Sequence, residues 1–415
     1  MSRQDVIVVG AGLAGLTAAV RLAEAGAGVL VLAKGVGSTH LAPGTIDVSR
    51  GPLSELTGRP DHPYAVIGTD GLAAAGAWLL EHVASGPLAP YAYTGGMDEN
   101  FVLPTAIGAA KPSALVPLSM ARGDLRDGGE MRIVGFRVLK DFHPALAADN
   151  LTAGGTVQAR SAELEVDVPG RVDVNALGLA RRFDDPAFRR DVTAQLIGRL
   201  GVGERVGFPA VLGIRDPHAA WSDLEHGLGR PVFEIPTLPP SVPGMRLFAT
   251  LRAALHRARG RLLLNNVAVG PELEDGRLAG VRVRVGLRET SYRADHVVLA
   301  TGGFASGGIE LDSRWRAHER ALGLPVAGVP APGEPRFSER YFDEQPMARA
   351  GVAVDGALRP LGEGGEPVYP NVRVVGGSLA GAAPWREGCG DGLSLLSGHR
   401  AAELILAEAG ATVTS

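Results

Sequence analysis

The sequence predicts an α/β fold in which a buried parallel sheet is interrupted along the chain by a large inserted domain. Two observations carry this. Short apolar runs rich in β-branched residues recur at Asp5–Val9, Gly28–Leu32, His296–Ala300 and Asn371–Val375, as expected of strands buried on both faces of a parallel sheet. Between the second and third runs the pattern changes to mixed short elements with proline joints, ending at Pro236-Thr-Leu-Pro-Pro-Ser-Val-Pro-Gly244. That stretch is too proline-dense for a helix or a central strand and reads as a rigid crossing between domains. The division is residues 1–70 with 245–415 for the sheet domain and 71–244 for the inserted cap or substrate domain. A chain of 415 residues favours two domains over one.

Taken in order, the first strand runs straight into Gly10-Ala-Gly-Leu-Ala-Gly15. Leu16 to Ala25 then reads as a helix, with Leu16, Ala19, Val20, Leu22 and Ala23 at helical spacing and Gly26 where a helix often stops. This strand–turn–helix–strand context gives a GxGxxG pattern physical meaning. Gly10 allows the tight turn, Gly12 lets backbone amides approach a phosphate, and Gly15 permits close packing of helix on strand. The helix N-terminus adds unpaired N–H groups and partial positive charge. The first domain therefore reads as FAD/NAD(P)-binding and Rossmann-like, with Gly10, Gly12, Leu13, Ala14 and Gly15 holding a cofactor phosphate. The second strand ends in Leu32-Ala33-Lys34, without the carboxylate that usually binds an adenosine ribose. FAD and FMN both stay open at this point. The following loop, Gly35 to Asp47, gathers glycines, hydroxyls and an imidazole. Lys34, Ser38, Thr39, His40 and Gly44 are candidate contacts for a flavin ring or phosphate, against the plainer reading of a surface turn.

Past the proline-rich crossing, Met245 to Arg259 is helical. Arg261–Leu264 and Val281–Val285 are strand candidates flanking a hairpin turn at Asp275-Gly276. Val297-Val-Leu-Ala-Thr-Gly-Gly303 resembles the strand and turn that return to the cofactor in flavoproteins with the two-dinucleotide fold, which adds Thr301, Gly302 and Gly303. Val374–Ser378 and Gly388-Cys-Gly-Asp-Gly-Leu-Ser394 add Gly377, Gly388, Gly390, Gly392 and Leu393, the latter stretch opening into a helix from Gly392 to Ala409. A helix start aimed at a flavin would stabilise the negative charge that reduction places on it. Cys389 in that turn is either a thiol with its pKa lowered by the helix start or a small packing residue.

Composition narrows the function. Lys and Arg total 41 against 45 Asp and Glu, a net charge of −4 that gives no electrostatic case for nucleic acid or an acidic membrane surface. A single cysteine excludes an internal disulfide and any multi-cysteine metal or iron–sulfur site built by this chain alone. No metal site is expected. No signal peptide and no run of 18 or more apolar residues is found, so the expectation is a cytoplasmic chain without direct membrane insertion.

Together, Gly10–Gly15, the Ser38–Asp47 loop, Pro236 to Arg246, Ala300-Thr-Gly-Gly-Phe-Ala-Ser-Gly-Gly308 and Gly388–Gly392 resemble the B subunits of anaerobic glycerol-3-phosphate dehydrogenases, within the wider succinate dehydrogenase/fumarate reductase-like flavoprotein group. The crossing that ends in Gly-Met-Arg is the specific part. The resemblance implies a three-subunit enzyme that oxidises sn-glycerol 3-phosphate to dihydroxyacetone phosphate and passes electrons through an iron–sulfur, membrane-anchoring subunit to quinone. It implies FMN in this chain, where the glycine turn alone implies FAD. It also implies a catalytic large flavoprotein subunit as partner, and a place at the inner face of the cell membrane reached through a partner. It sets Gly10, Gly12, Gly15, His40, Gly302, Gly303, Gly388, Gly390 and Gly392 near the flavin. The paired arginines of fumarate reductases are not found, and Thr39-His40 does not match their covalent flavin histidine, so the flavin is expected to be non-covalent.

Oxidising a secondary alcohol needs a base for the hydroxyl proton, a flavin to take the hydride, and cations for the phosphate. His40 and His143 are the candidate bases. Arg246 is the candidate for an anionic ligand, or else a partner for a carboxylate. Two readings compete with the dehydrogenase subunit: a stand-alone FAD-dependent reductase or dehydrogenase of another small substrate, and a non-catalytic electron-relay or assembly subunit.

Overall fold

The computed structural model describes residues 4–170 and 172–413. The chain divides into two compact units, one formed by Met1–Ser38, Asp47–Ala75 and Leu251–Ser415, the other by Thr39–Ile46 and Gly76–Thr250.

The first unit is built on strand β1 (Gln4–Val9), helix α1 (Leu13–Glu24) and strand β2 (Val29–Leu32). β1 lies parallel to β2, with Val6 opposite Val29 and Val9 opposite Leu32. On its other side β1 pairs in parallel with the end of the long strand Arg288–Leu299, Val6 opposite His296 and Val9 opposite Leu299. Arg261–Leu263 extends the sheet beyond β2, and Val372–Val374 extends it beyond Val297–Leu299, both in parallel. Ile7, Val8, Leu30, Val31, Val297, Val298, Val372 and Val374 are buried, so the continuous apolar runs are two-faced strands.

One expectation is corrected here. The turn at Asp275-Gly276 joins Val267–Glu274 to Arg277–Val285, and Arg261–Leu263 instead forms the parallel edge of the main sheet. Both turn residues have positive φ, 49° and 78°, which suits the right-handed twist of a two-residue hairpin. Arg277–Val285 continues into the front half of Arg288–Leu299, antiparallel, with Gly280 opposite Arg293. That long strand thus belongs to a hairpin meander at one end and to the parallel sheet at the other. Its partners change because its sequence is polar through Ser291, alternates from Tyr292 to His296 and becomes continuously apolar only from Val297.

The second unit holds a four-stranded parallel sheet in the order Val232–Ile235, Arg205–Pro209, Glu130–Phe136, Gln158–Leu164. Phe136, Phe183, Phe188 and Phe208 make the aromatic centre of its core, with Phe183 edge-on to Phe188 at 5.1 Å. Three of its helices begin on side-chain caps: Asn175 accepts from the Gly178 amide, Asp185 from Ala187 and Asp216 from Ala219. The proline-rich crossing ends sooner than its composition suggests. A helix runs over Val242–Arg257, with Pro243 in its first turn, where a missing N–H costs no hydrogen bond.

Candidate functional site

In the first unit the glycine-bearing segments meet at the carboxyl ends of the parallel strands, where open α/β sheets bind their ligands. Gly10 leaves β1 at φ +117°, and a Cβ there would sit 2.2 Å from the Ala300 carbonyl oxygen. A Cβ on Gly15 would sit 2.2 Å from the Gly10 carbonyl oxygen. Both glycines are therefore demanded by the close approach of β1, α1 and the strand ending at Leu299. Gly12 is different. It caps α1 in extended backbone, φ −75° and ψ −177°, and an added Cβ would meet no atom within 4 Å. Protein packing does not require this glycine. The position is left open at a helix start with no side-chain cap, where the first amides have no intrahelical acceptor.

Three more glycine segments close on the same edge. The Gly302 amide donates to Ser378 Oγ at 2.9 Å, and a Cβ on Gly303 would come 2.8 Å from the Gly377 carbonyl oxygen. A Cβ on Gly376 would come 2.8 Å from that of Ala14, while the Gly376 amide donates to Ser397 Oγ. Gly398 of the C-terminal helix faces the Ala14 carbonyl so closely that a Cβ would sit 2.4 Å away. Thr301, Gly302 and Gly303 are half-buried and Gly377 is exposed, so this edge is open to solvent. A Cβ on Gly37 would lie 2.7 Å from Gly12 Cα, which brings the loop after β2 over the first turn. Lys34 and Ser38 on that loop are exposed. Ala33 carries no acid, and its carbonyl accepts from the amide of Asn266, whose side chain is buried.

Gly388, Gly390 and Gly392 serve a second cluster of the same unit. The helix they open is longer than its periodicity suggests, Gly390–Val413, and Leu393 is buried in it. A Cβ on Gly392 would sit 2.7 Å from the Tyr64 hydroxyl, and one on Gly388 would lie 3.5 Å from the Arg50 amide nitrogen. Beside them Glu387 accepts from Arg59 at 2.6 Å and Arg349 at 2.7 Å, with His62 Nε2 3.3 Å away. His62 Nδ1 accepts the Tyr64 amide, so its proton is on Nε2, facing Glu387. Burial would raise the Glu387 pKa. The hydrogen bonds from His62, Arg59, the Ala383 amide and Arg349 outweigh it and hold the carboxyl below the usual range. Cys389 Sγ lies 3.6 Å from the same carboxylate. Burial and Glu387 push its thiol pKa up, so of the two readings of Cys389 the packing residue is the one present. His62, Glu387 and Cys389 place potential ligand atoms within 4.8 Å of one another, but a cation would have to displace two guanidinium groups. A cavity of about 390 Å³ opens nearby, lined by Asp61, Pro63, Arg349, Val354 and Gly381.

The other candidates fall in the second unit. Thr39 is buried and His40 half-buried, the imidazole edge-on to Phe248 at 4.8 Å. The His40 carbonyl accepts from the Ser241 amide, and a Cβ on Gly44 would meet that of Pro243 at 2.6 Å. A Cβ on Gly244 would come 2.0 Å from the Thr39 carbonyl oxygen. The early loop and the end of the proline-rich crossing are thus fitted to each other. His143 is exposed at the start of the helix Pro144–Ala153.

Arg246 is corrected as a ligand contact. It is 1 % exposed and pairs with Glu234 at 2.7 Å, while its remaining donors reach Leu212 O, Gly213 O and the Tyr91 hydroxyl. Glu234 in turn accepts from Ser119 and from the Leu212 amide. Burial would lower the Arg246 pKa, but Glu234 and Tyr91 outweigh it and keep the group charged. No N–H is left for a bound anion. Glu387 and its two arginines give no sign of themselves in the sequence. Arg59 lies 328 positions from Glu387 and Arg349 lies 38, and they follow no short motif, so only the fold assembles them.

The family described as FAD binding domain matches residues 5–393 of this chain. A Halobacterium salinarum protein, named as the B subunit of a probable anaerobic glycerol-3-phosphate dehydrogenase, is 32 % identical over 426 residues, covering 96 % of each chain. The B subunit of the anaerobic glycerol-3-phosphate dehydrogenase of Yersinia pestis is 30 % identical over 99 % of each chain, and that of Pectobacterium carotovorum 33 % identical over 98 % of this chain and 99 % of its own. Among solved structures, the 3-ketosteroid Δ1-dehydrogenase of Sterolibacterium denitrificans aligns with a TM-score of 0.47 at 14 % identity, covering 98 % of this chain and 100 % of that one.

Proposed function

We propose that this chain, which belongs to the FAD-binding-domain family and to the family of anaerobic glycerol-3-phosphate dehydrogenase B subunits, is a flavin subunit that takes part in oxidising sn-glycerol 3-phosphate to dihydroxyacetone phosphate and sends the electrons towards quinone. The observation that carries the reading is likeness running nearly end to end in both partners of each comparison, over a chain whose cofactor edge has its open position at Gly12.

FAD is the cofactor the FAD-binding-domain family supports, and the FMN implied by the resemblance finds no support there. The residues present fit it. The amides of Leu13 and Ala14 would hold a phosphate in the space Gly12 leaves, and Thr301 to Gly303 with Gly377 would border the ring. When bound, FAD supplies a two-electron acceptor for an alcohol carbon that can pass electrons on singly. The protein's part is to bind, orient and exclude water. The cavity lined by Asp61 and Arg349 is of a size for a small ligand, but Arg349 already pairs with Glu344 and Glu387 and supplies no unpaired charge for a phosphate. For the hydroxyl proton the candidate acceptors are His40 and His143. Among the described residues no helix is long and apolar enough to cross a membrane, so contact with quinone would run through partner subunits. Those partners are a large flavoprotein subunit and an iron–sulfur subunit.

The test is anaerobic addition of sn-glycerol 3-phosphate to the complex produced with its companion subunits. Bleaching of the flavin in this chain, followed separately by replacing it with a flavin analogue of shifted absorbance, is the expected result. A flavin that stays oxidised while dihydroxyacetone phosphate accumulates would remove the chain from the electron path.

A further inference from the structure

The end of β2 and the end of its parallel neighbour Arg261–Leu263 do not run on in register. Leu32 lies opposite Leu263, and the Ala33 amide donates to the Leu263 carbonyl at 3.0 Å. A regular parallel ladder would next bring the Asn265 amide to the Ala33 carbonyl. The Asn266 amide arrives there instead, also at 3.0 Å, so one extra residue is let into the outer strand. That residue, Asn265, is exposed and takes a left-handed φ of 60°, a conformation that asparagine adopts more readily than most side chains. The bulge changes which residue is drawn in beside Ala33. It is Asn266, whose side chain is 7 % exposed.

The chain uses only half of the Asn266 amide. Nδ2 donates to the Leu264 carbonyl at 2.8 Å, which fixes the orientation of the group. Oδ1 is buried and accepts no hydrogen bond. A buried amide oxygen without a donor costs the fold free energy, and the short bond to Leu264 does not call for that oxygen. A side chain kept in this form, at the carboxyl edge of a parallel sheet, is explained by a donor that comes from a ligand.

We propose that Asn266 Oδ1 is the acceptor for a hydroxyl of the adenosine ribose of FAD, in place of the carboxylate that Ala33 does not supply. The inference rests on the reading of this chain as an FAD-binding subunit. Position supports it. β2 stands between β1, which leads into the Gly10–Gly15 turn, and Arg261–Leu263, so the sheet order runs from the phosphate end across Ala33 to Asn266 along one edge. Chemistry supports it as well. A ribose hydroxyl is a donor that an amide oxygen satisfies, and a neutral acceptor needs no balancing cation when it is buried, whereas a carboxylate does. FMN ends at its phosphate and carries no second ribose, so this contact separates the two flavins.

The experiment is titration of the flavin-free full chain with FAD and with FMN, followed by the change in flavin fluorescence. The wild type is compared with Asn266→Leu, which keeps the volume and removes the acceptor, and with Asn266→Asp, which keeps an acceptor. Thermal unfolding of each flavin-free protein reports folding. FAD binding should weaken ~10-fold or more in Asn266→Leu and stay within about threefold of the wild type in Asn266→Asp. FMN binding should be the same in every variant. FAD binding unchanged in Asn266→Leu would overturn the proposal. So would FAD and FMN weakened equally, or a loss as large in Asn266→Asp as in Asn266→Leu, since either result means that the residue only holds its loop. If the variants do not fold, the unsubstituted chain decides. ADP should then compete with FAD ~10-fold better than ADP lacking both ribose hydroxyls, and equal competition would overturn the proposal. A wild type that binds no FAD removes the FAD reading itself. That failure is distinguishable because it appears without any substitution.

Discussion

Replacing Gly12 by valine separates cofactor binding from folding, because the three glycines of the first turn are there for different reasons. At Gly12 the backbone is extended and an added Cβ meets nothing within 4 Å, so the fold has no objection to a side chain. The phosphate does. Valine occupies the open position at the helix start, and two charge-assisted hydrogen bonds at roughly 1.5–3 kcal/mol each are lost. That is roughly 3–6 kcal/mol, or a 10²- to 10⁴-fold weaker cofactor. Gly10→Ala makes the contrast. Its Cβ would lie 2.2 Å from the Ala300 carbonyl oxygen at φ +117°, and overpacking with left-handed strain costs roughly 3 kcal/mol or more of stability. The assay is flavin per chain by absorbance after gel filtration, with thermal unfolding of the flavin-free protein. Gly12→Val should be folded and colourless, with the unfolding temperature of the flavin-free wild type. Full flavin content in Gly12→Val, or an apoprotein as damaged as that of Gly10→Ala, would refute the assignment of the open space to a phosphate.

Glu234→Ala leaves the Arg246 guanidinium buried without its carboxylate and should cost about 3–5 kcal/mol, read as a lower urea midpoint. Replacing both residues, as Glu234→Leu with Arg246→Met, should recover much of that loss. Glu387→Gln should cost roughly 2 kcal/mol at neutral pH, less than a fully buried pair because Arg59 and Arg349 are partly exposed. Because the folded-state pKa of Glu387 is depressed, its stabilisation is present above the ordinary carboxylate pKa and lost as pH falls below it. The wild type should therefore lose its advantage over Glu387→Gln on acidification, and an advantage that grew instead would contradict the ion-pair cluster. Cys389 should resist iodoacetamide at pH 8 in the native protein and react once unfolded, as thiol titration reports.

The parallel sheet is legible because β1, β2, Val297–Leu299 and Val372–Val374 are buried on both faces and so are written as continuous apolar runs. Arg261–Leu263 reads as half of a hairpin and is not. As a three-residue edge strand it carries no period that distinguishes a parallel edge from a hairpin arm. The sheet of the second unit is not legible as a sheet, since its edge strand Gln158–Leu164 is mostly exposed and reads as polar. The glycine candidates of the cofactor edge can be found by motif because each answers a local backbone need. Arg246 cannot be resolved that way, because its partner Glu234 precedes it across the proline-rich crossing and pairing is decided by the fold.

FAD is proposed to bind at the Gly10–Gly15 edge although Ala33 stands where an adenosine-binding carboxylate is usual. The most direct test is mass analysis of the cofactor released by heat from the purified chain. FAD at one per chain is the expected result. FMN, or a chain that stays colourless after reconstitution with FAD, would contradict it.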